Sequence, residues 1–166
     1  MRDKLKTIGA ESDTFTIEIR PTSKCNYNCY YCTDLHINRN PITLLSTNNI
    51  NKLILSAKRH TKKKIHIFFC GGEPTIYPDL VGLINKISTH IDSNDVITVQ
   101  SNLYKSIEWY IDFHKQLKCV DQFVFNGSYH NTQNVKLYDY IKKCVLLKSK
   151  GILGMVSFGY NKKNDV

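Results

Sequence analysis

The sequence predicts an α/β fold, a partial (β/α) barrel of about five parallel β/α units. Three observations lead there. Strand-like and helix-like segments alternate five times along the 166 residues. After the first long loop, each unit takes roughly 30 residues, the length of a βαβ repeat. Such alternation implies parallel strands with helices packed outside them. A doubly wound open sheet and an arc of a barrel both satisfy the pattern. A closed eight-unit barrel needs about 250 residues, so this chain can supply only part of one.

The elements follow in order. Thr14–Arg20 (TFTIEIR) alternates apolar and polar residues and reads as a strand. A long loop with three clustered cysteines comes next. Ser46 or Thr47 caps a helix with Ile50, Leu53, Ile54 and Ala57 on one face. Ile65–Cys70 (IHIFFC) is a second strand, ended by Gly71-Gly72. Pro78-Asp79 opens a helix with a stripe of Leu80, Leu83, Ile84, Ile87 and Ile91. Val96–Gln100 is the third strand, followed by a helix over Ile107–Leu117 that carries Trp109 on the barrel exterior or an interface. Gln122–Phe125 is the fourth strand. The next helix turns Leu137, Ile141, Cys144 and Val145 inward, and Ile152–Phe158 is the fifth strand. Residues 1–13 read as an N-terminal extension, 14–160 as the barrel unit and 161–166 as a tail.

Composition narrows the class. A hydrophobic fraction of 42% and a charged fraction of 22% describe a globular chain rather than a disordered one. Lys and Arg outnumber Asp and Glu by 23 to 14, a net charge of +9 that would attract RNA or acidic partners. The basic residues are scattered, however, and the run Lys62-Lys63-Lys64 fits a solvated corner. No apolar stretch approaches the 18 or so residues that would span a bilayer, and no secretory signal is visible, so a cytoplasmic location is expected. In that reducing compartment the six cysteines are metal ligands or buried thiols rather than disulfides. Cys119 and Cys144 read as packing residues, and Cys70 as a buried strand-end thiol.

Cys25, Cys29 and Cys32 have C-x3-C-x2-C spacing and can converge on one metal centre. A cubane cluster held wholly by protein takes four cysteines, so three leave one iron open to a ligand. A structural zinc site is the alternative, with His36 or Cys70 as the fourth ligand. Tyr31, directly before the third cysteine, and the place of the loop just after a strand favour the cluster.

This C-x3-C-x-aromatic-C pattern, after the first strand of a β/α series, resembles the radical S-adenosylmethionine (radical SAM) superfamily. The resemblance implies that the three cysteines ligate three irons of a 4Fe–4S cluster. It implies that the fourth iron binds the amino and carboxylate groups of S-adenosylmethionine, with Tyr31 near the adenine. Gly71-Gly72-Glu73-Pro74, directly after the second strand, matches the family's GGE motif. Two glycines allow positive φ and close backbone approach, Glu73 offers a carboxylate suited to an ammonium, and Pro74 stiffens the exit. The match implies that this segment contacts the methionyl ammonium.

Geometry supports the same rim, because chemistry in β/α folds gathers at the C-terminal ends of the strands. Ser101 and Asn102 follow strand three; Asn126, Gly127, Ser128, Tyr129 and His130 follow strand four. By resemblance, Ser101, Asn102 and Ser128 are candidates to hold the ribose and the methionyl carboxylate; capping of the next helices is the alternative. Tyr129 and His130 are either substrate-facing groups, as hydrogen donor or proton carrier, or surface positions without function.

The resemblance covers Phe15 to Phe158 and departs in places. The family core has six β/α units against five here. The glycine that often follows the strand-three asparagine is replaced by Leu103. The implied activity is one-electron cleavage of S-adenosylmethionine to a 5′-deoxyadenosyl radical that abstracts hydrogen from a substrate. The implied partners are a flavodoxin- or ferredoxin-like one-electron reductant and, for a short barrel, a second chain that completes it. A peptide or protein is the first substrate expectation, because IEIRPTSKCNYNCYYC resembles peptide-modifying members; RNA or a nucleoside is the second. A zinc-binding or cluster-binding module without catalysis is the competing function.

Overall fold

The structure is a computed structural model, and residues 13–32, 45–131 and 135–159 are described. Five strands, β1 (Thr14–Ile19), β2 (Lys64–Phe69), β3 (Val96–Ser101), β4 (Phe123–His130) and β5 (Leu153–Gly159), form one sheet in the order β1-β2-β3-β4-β5. Every pairing is parallel. Four helices join them: α1 (Thr47–His60), α2 (Leu80–Ser88), α3 (Ile107–Lys115) and α4 (Leu137–Ser149). Strand order equals chain order, so the winding never reverses. A doubly wound sheet reverses at its switch point. With the usual right-handed crossovers, unreversed winding places all helices on one side, as in an arc of a barrel.

The core lies between that helix layer and one face of the sheet. Ile17, Ile19, Ile67, Phe69, Val99 and Phe125 point into it from the strands. Ile50 and Ile54 meet them from α1, and Leu80, Leu83, Ile84 and Ile87 from α2. Tyr110 and Phe113 come from α3 and stack edge-on to Phe125 at 5.0 and 5.2 Å. Trp109 packs beside them, 5.0 Å from Phe113, and is partly buried in the helix layer outside the sheet. Ser46, Asp79 and Ser106 cap α1, α2 and α3 by accepting from Asn49 N, Gly82 N and Trp109 N.

Three expectations need correction. β4 runs on to His130 instead of ending at Phe125. Asn126 and Gly127 pair with Gln100 and Ser101, while Ser128, Tyr129 and His130 pair with Ser157, Phe158 and Gly159. The polar residues of this stretch lie on the sheet face away from the helices, so apolar content did not mark them as strand. In α4 the buried stripe is Tyr140, Cys144 and Leu147, while Leu137, Ile141 and Val145 are exposed. Tyr140 provides the reason: its ring packs 5.1 Å from Tyr129 and turns the helix by that residue's azimuth. Leu53 of α1 is likewise exposed.

At the opposite end from the cysteine loop, buried Asp95 pairs with Lys58 and accepts from Ile65 N at 2.7 Å. The Lys62–Lys64 run lies exposed beside this corner.

Candidate active site

The cysteine loop leaves β1 and is laced to the turn after β2. Gly72 N donates to Thr22 O at 3.0 Å, and Glu73 N donates to Lys24 O at 2.8 Å. The two glycines serve different needs. Gly71 has φ +105°, in the region that L side chains rarely adopt. Gly72 is needed for closeness: a Cβ there would stand 2.2 Å from Lys24 O and 2.7 Å from two backbone carbons of Ser23 and Lys24. Within the loop, Cys32 N donates to Cys29 O at 2.9 Å, and Tyr27 N donates to the Cys25 sulfur at 3.4 Å.

Glu73 is 2% exposed, and both of its carboxylate oxygens accept from protein donors. Its Oε1 accepts from Thr75 N (3.2 Å), Thr75 Oγ1 (2.6 Å) and Ser101 Oγ (2.8 Å). Its Oε2 accepts from Asn102 N at 2.8 Å. Burial pushes the carboxyl above its ordinary value, and these donors pull the other way. The carboxylate ties the ends of β2 and β3 and also lines the site cavity. Pro74 opens the short 3-10 turn Pro74–Ile76 and is buried.

Ser101 and Asn102 are buried and do not cap α3; Ser106 does. Ser101 bridges Glu73 and the Tyr110 hydroxyl, 3.1 Å away. Asn102 Nδ2 donates to Asn26 Oδ1 at 2.8 Å and so ties the cysteine loop to the end of β3. Leu103 has φ +55°, so the position keeps the left-handed backbone that glycine favours, at a cost of about 1–2 kcal/mol. Its carbonyl and that of Lys105 accept from Lys143 Nζ at 2.9 and 2.7 Å, and its side chain is buried.

These residues enclose one cavity of about 300 Å³. Cys25, Cys29 and Cys32 line it together with Tyr31, Gly71, Gly72, Glu73, Ser101, Asn102 and Ser128. Pro74 is not among the lining residues. Tyr27, Gln100, Cys70 and His130 are. Of these, Gln100 donates to Ser128 Oγ. Gln100 and Asn26 have no signal in composition, yet each adjoins a residue already singled out. Cys70 is half-buried and hydrogen-bonds Glu18. Cys119 and Cys144 are buried in the core. His36, the alternative zinc ligand, lies outside the described residues.

The donor set fits a cluster. Three thiols share one cavity wall, and a bound cation there would favour their thiolate form. Among the described residues, no three His, Cys, Asp or Glu side chains are gathered to hold a single ion. A cluster does not need that, because each thiolate takes a different iron. The glycine cradle beside the thiols leaves space for a second group.

The sequence profile of the radical SAM superfamily matches residues 19–127. That span runs from the end of β1, through the cysteine loop and the glycine turn, into β4. The chain belongs to the radical SAM superfamily. Radical SAM proteins are enzymes whose cofactors are a 4Fe–4S cluster and S-adenosylmethionine, and both cofactors come with membership. A probable GTP 3′,8-cyclase of Methanococcus maripaludis (strain C5) is 35% identical over 79 residues, covering 48% of this chain and 25% of that protein. A protein of Brachyspira hyodysenteriae named GTPase Obg is 29% identical over 147 residues, covering 86% of this chain and 21% of its own. Among solved structures, anSMEcpe with bound AdoMet superposes with a TM-score of 0.63 at 16% identity, over 87% of this chain and 43% of that one. BtrN in complex with AdoMet and 2-DOIA gives 0.63 at 14% identity, over 86% and 56%. These two share the fold. The chain thus spans about a quarter of the cyclase's length and about half of the structural neighbours'. Among the described residues no helix is long and apolar enough to cross a membrane.

Proposed function

We propose that this radical SAM chain binds a 4Fe–4S cluster through Cys25, Cys29 and Cys32, with S-adenosylmethionine in the adjoining cavity. The observation that carries the reading is the single cavity lined by all three loop cysteines and by Gly71 and Gly72. When bound, the two cofactors supply a one-electron reductive cleavage at the sulfonium, the source of a carbon radical that takes hydrogen from a substrate. The chain's own residues bind and orient. Tyr31 offers a ring face to the adenine. Gly71 and Gly72 bring bare backbone to the methionyl end, where the carbonyls of this turn can meet an ammonium. Ser128, Gln100 and Asn102 offer hydroxyl and amide groups for the ribose and carboxylate.

A one-electron reductant of the flavodoxin or ferredoxin type, in the cytoplasm, would supply the electron. β5 ends the described sheet with an unpaired edge, which a sixth unit or a second chain would cover. The first substrate reading is a peptide or protein side chain, resting on the text from Ile17 to Cys32. The second is a nucleotide, favoured by the 35% identity to a probable GTP cyclase. Relatives and neighbours carry unlike names and second ligands over one shared segment, so that segment suits cofactor binding more than substrate choice.

The test is anaerobic reconstitution, reduction with dithionite and addition of S-adenosylmethionine, with chromatography for 5′-deoxyadenosine. Wild type is expected to form it and Cys29→Ala to form none. A cluster-loaded wild type that forms none, with candidate peptides or with GTP, would show a binding module instead.

A further inference from the structure

We infer that His130 is a positioning residue that fixes Tyr31 in the cofactor cavity and thereby sets affinity for the adenosyl group. The inference rests on the function proposed above, and it concerns a residue outside both sequence motifs.

Tyr31 lies between two of the cluster-loop cysteines. Its hydroxyl is 2.8 Å from Nδ1 of His130, at the end of β4. The two rings stack at 22° with centroids 6.0 Å apart. Tyr27, from the same loop, meets the imidazole edge-on at 86° and 6.0 Å. The imidazole thus stands between two tyrosines of one loop, and all three rings line the cavity. Burial holds His130 below its ordinary value. A neutral ring at pH 7 accepts from the phenol at Nδ1 and carries its own hydrogen on Nε2.

β5 is shaped around this bond. A Cβ on Gly159 would stand 3.0 Å from the Tyr31 hydroxyl and 3.3 Å from His130 Nδ1. The first half of the loop is held by Asn102 and by the Gly72 and Glu73 amides. The second half, which carries Tyr31, is tied to β4 through His130. A ring that must lie against adenine gains from being held before the ligand arrives, because its ordering cost is then met in folding. The sequence left His130 between proton carrier and idle surface residue; the geometry makes it a clamp.

The test uses the reconstituted chain. S-adenosylmethionine is titrated against the EPR spectrum of the reduced cluster in wild type, Tyr31→Phe, His130→Phe and the double variant. Each single variant keeps its ring and loses the bond. Each is expected to weaken binding roughly 3- to 10-fold, the worth of one hydrogen bond, and the double variant no more than either alone. His130→Asn, which returns an acceptor near Nδ1, should recover most of the affinity. If His130→Phe proves unable to fold, Gly159→Ala presses a methyl group on the same bond and carries the same expectation. Unchanged affinity in His130→Phe, or losses that multiply in the double variant, overturn the inference. So does a lowered melting temperature with affinity intact, which marks a merely structural contact. Absence of a cluster from wild type would instead overturn the proposed function.

Discussion

Gly72→Ala is expected to lose most of its bound iron and about 2–3 kcal/mol of stability. The added Cβ would stand 2.2 Å from Lys24 O and 2.7 Å from backbone carbons of Ser23 and Lys24. All three are main-chain atoms, so no side chain can swing aside. The Ser23–Lys24 backbone must retreat, and it leads directly into Cys25. Two of the loop's anchors, Gly72 N to Thr22 O and Glu73 N to Lys24 O, break in the process. Gly151→Ala is the control. Gly151, unlike Gly72, has positive φ, +73°, and a Cβ there meets nothing within 4 Å. It should cost stability through backbone strain and keep its iron. Iron content and chemical denaturation of the two variants side by side check this. Equal iron in both would contradict the anchoring.

Glu73→Gln is the second large effect. The carboxylate accepts from two donors of Thr75, from Ser101 Oγ and from Asn102 N. A glutamine amide must face at least one donor with an NH2 group. With the site buried, no water relieves the mismatch, and about 3 kcal/mol is expected to be lost. That is a large share of the 5–15 kcal/mol typical of a domain. Asn102 is tied to Asn26 of the cysteine loop, so cofactor affinity should fall as well.

The pH dependence separates this group from the rest. Burial raises the Glu73 carboxyl above its ordinary 4.5, so the folded chain holds that proton more tightly than the unfolded chain. Its contribution to stability is therefore full below pH 4.5 and is lost as the pH rises through the folded value. Denaturation of wild type and Glu73→Gln across that range, without metal, should show this slope in wild type alone. A difference between the two that does not change with pH would mean that the donors cancel burial, and stability lost as the pH falls would mean that they outweigh it.

The cysteine loop and the glycine turn were legible in the sequence because their chemistry is local: spacing and adjacency to a strand suffice. β1 to β3 were legible because apolar residues alternate along them. β4 was cut short at Phe125 because its far half carries Asn126, Ser128 and His130 on the face away from the core. The tie that Glu73 makes to β3 was not legible, since the Ser101 and Asn102 donors come from a different strand. Leu103 was read as a departure from a glycine pattern, yet its backbone keeps the left-handed conformation and the neighbouring contacts sustain it. The face of α4 was misjudged because aliphatic residues were weighted over Tyr140, whose aromatic ring fills the space beside Tyr129. The bond between Tyr31 and His130 joins residues far apart in the chain, and no local pattern announces it.

The central claim is that Cys25, Cys29 and Cys32 hold a 4Fe–4S cluster. Iron, sulfide and zinc per chain after anaerobic preparation test it most directly, in wild type and in Cys29→Ala. The account predicts about four irons and four sulfides in wild type, the content of one cubane, and loss of both in the variant. One stoichiometric zinc with neither iron nor sulfide, or an intact cluster in Cys29→Ala, would contradict it.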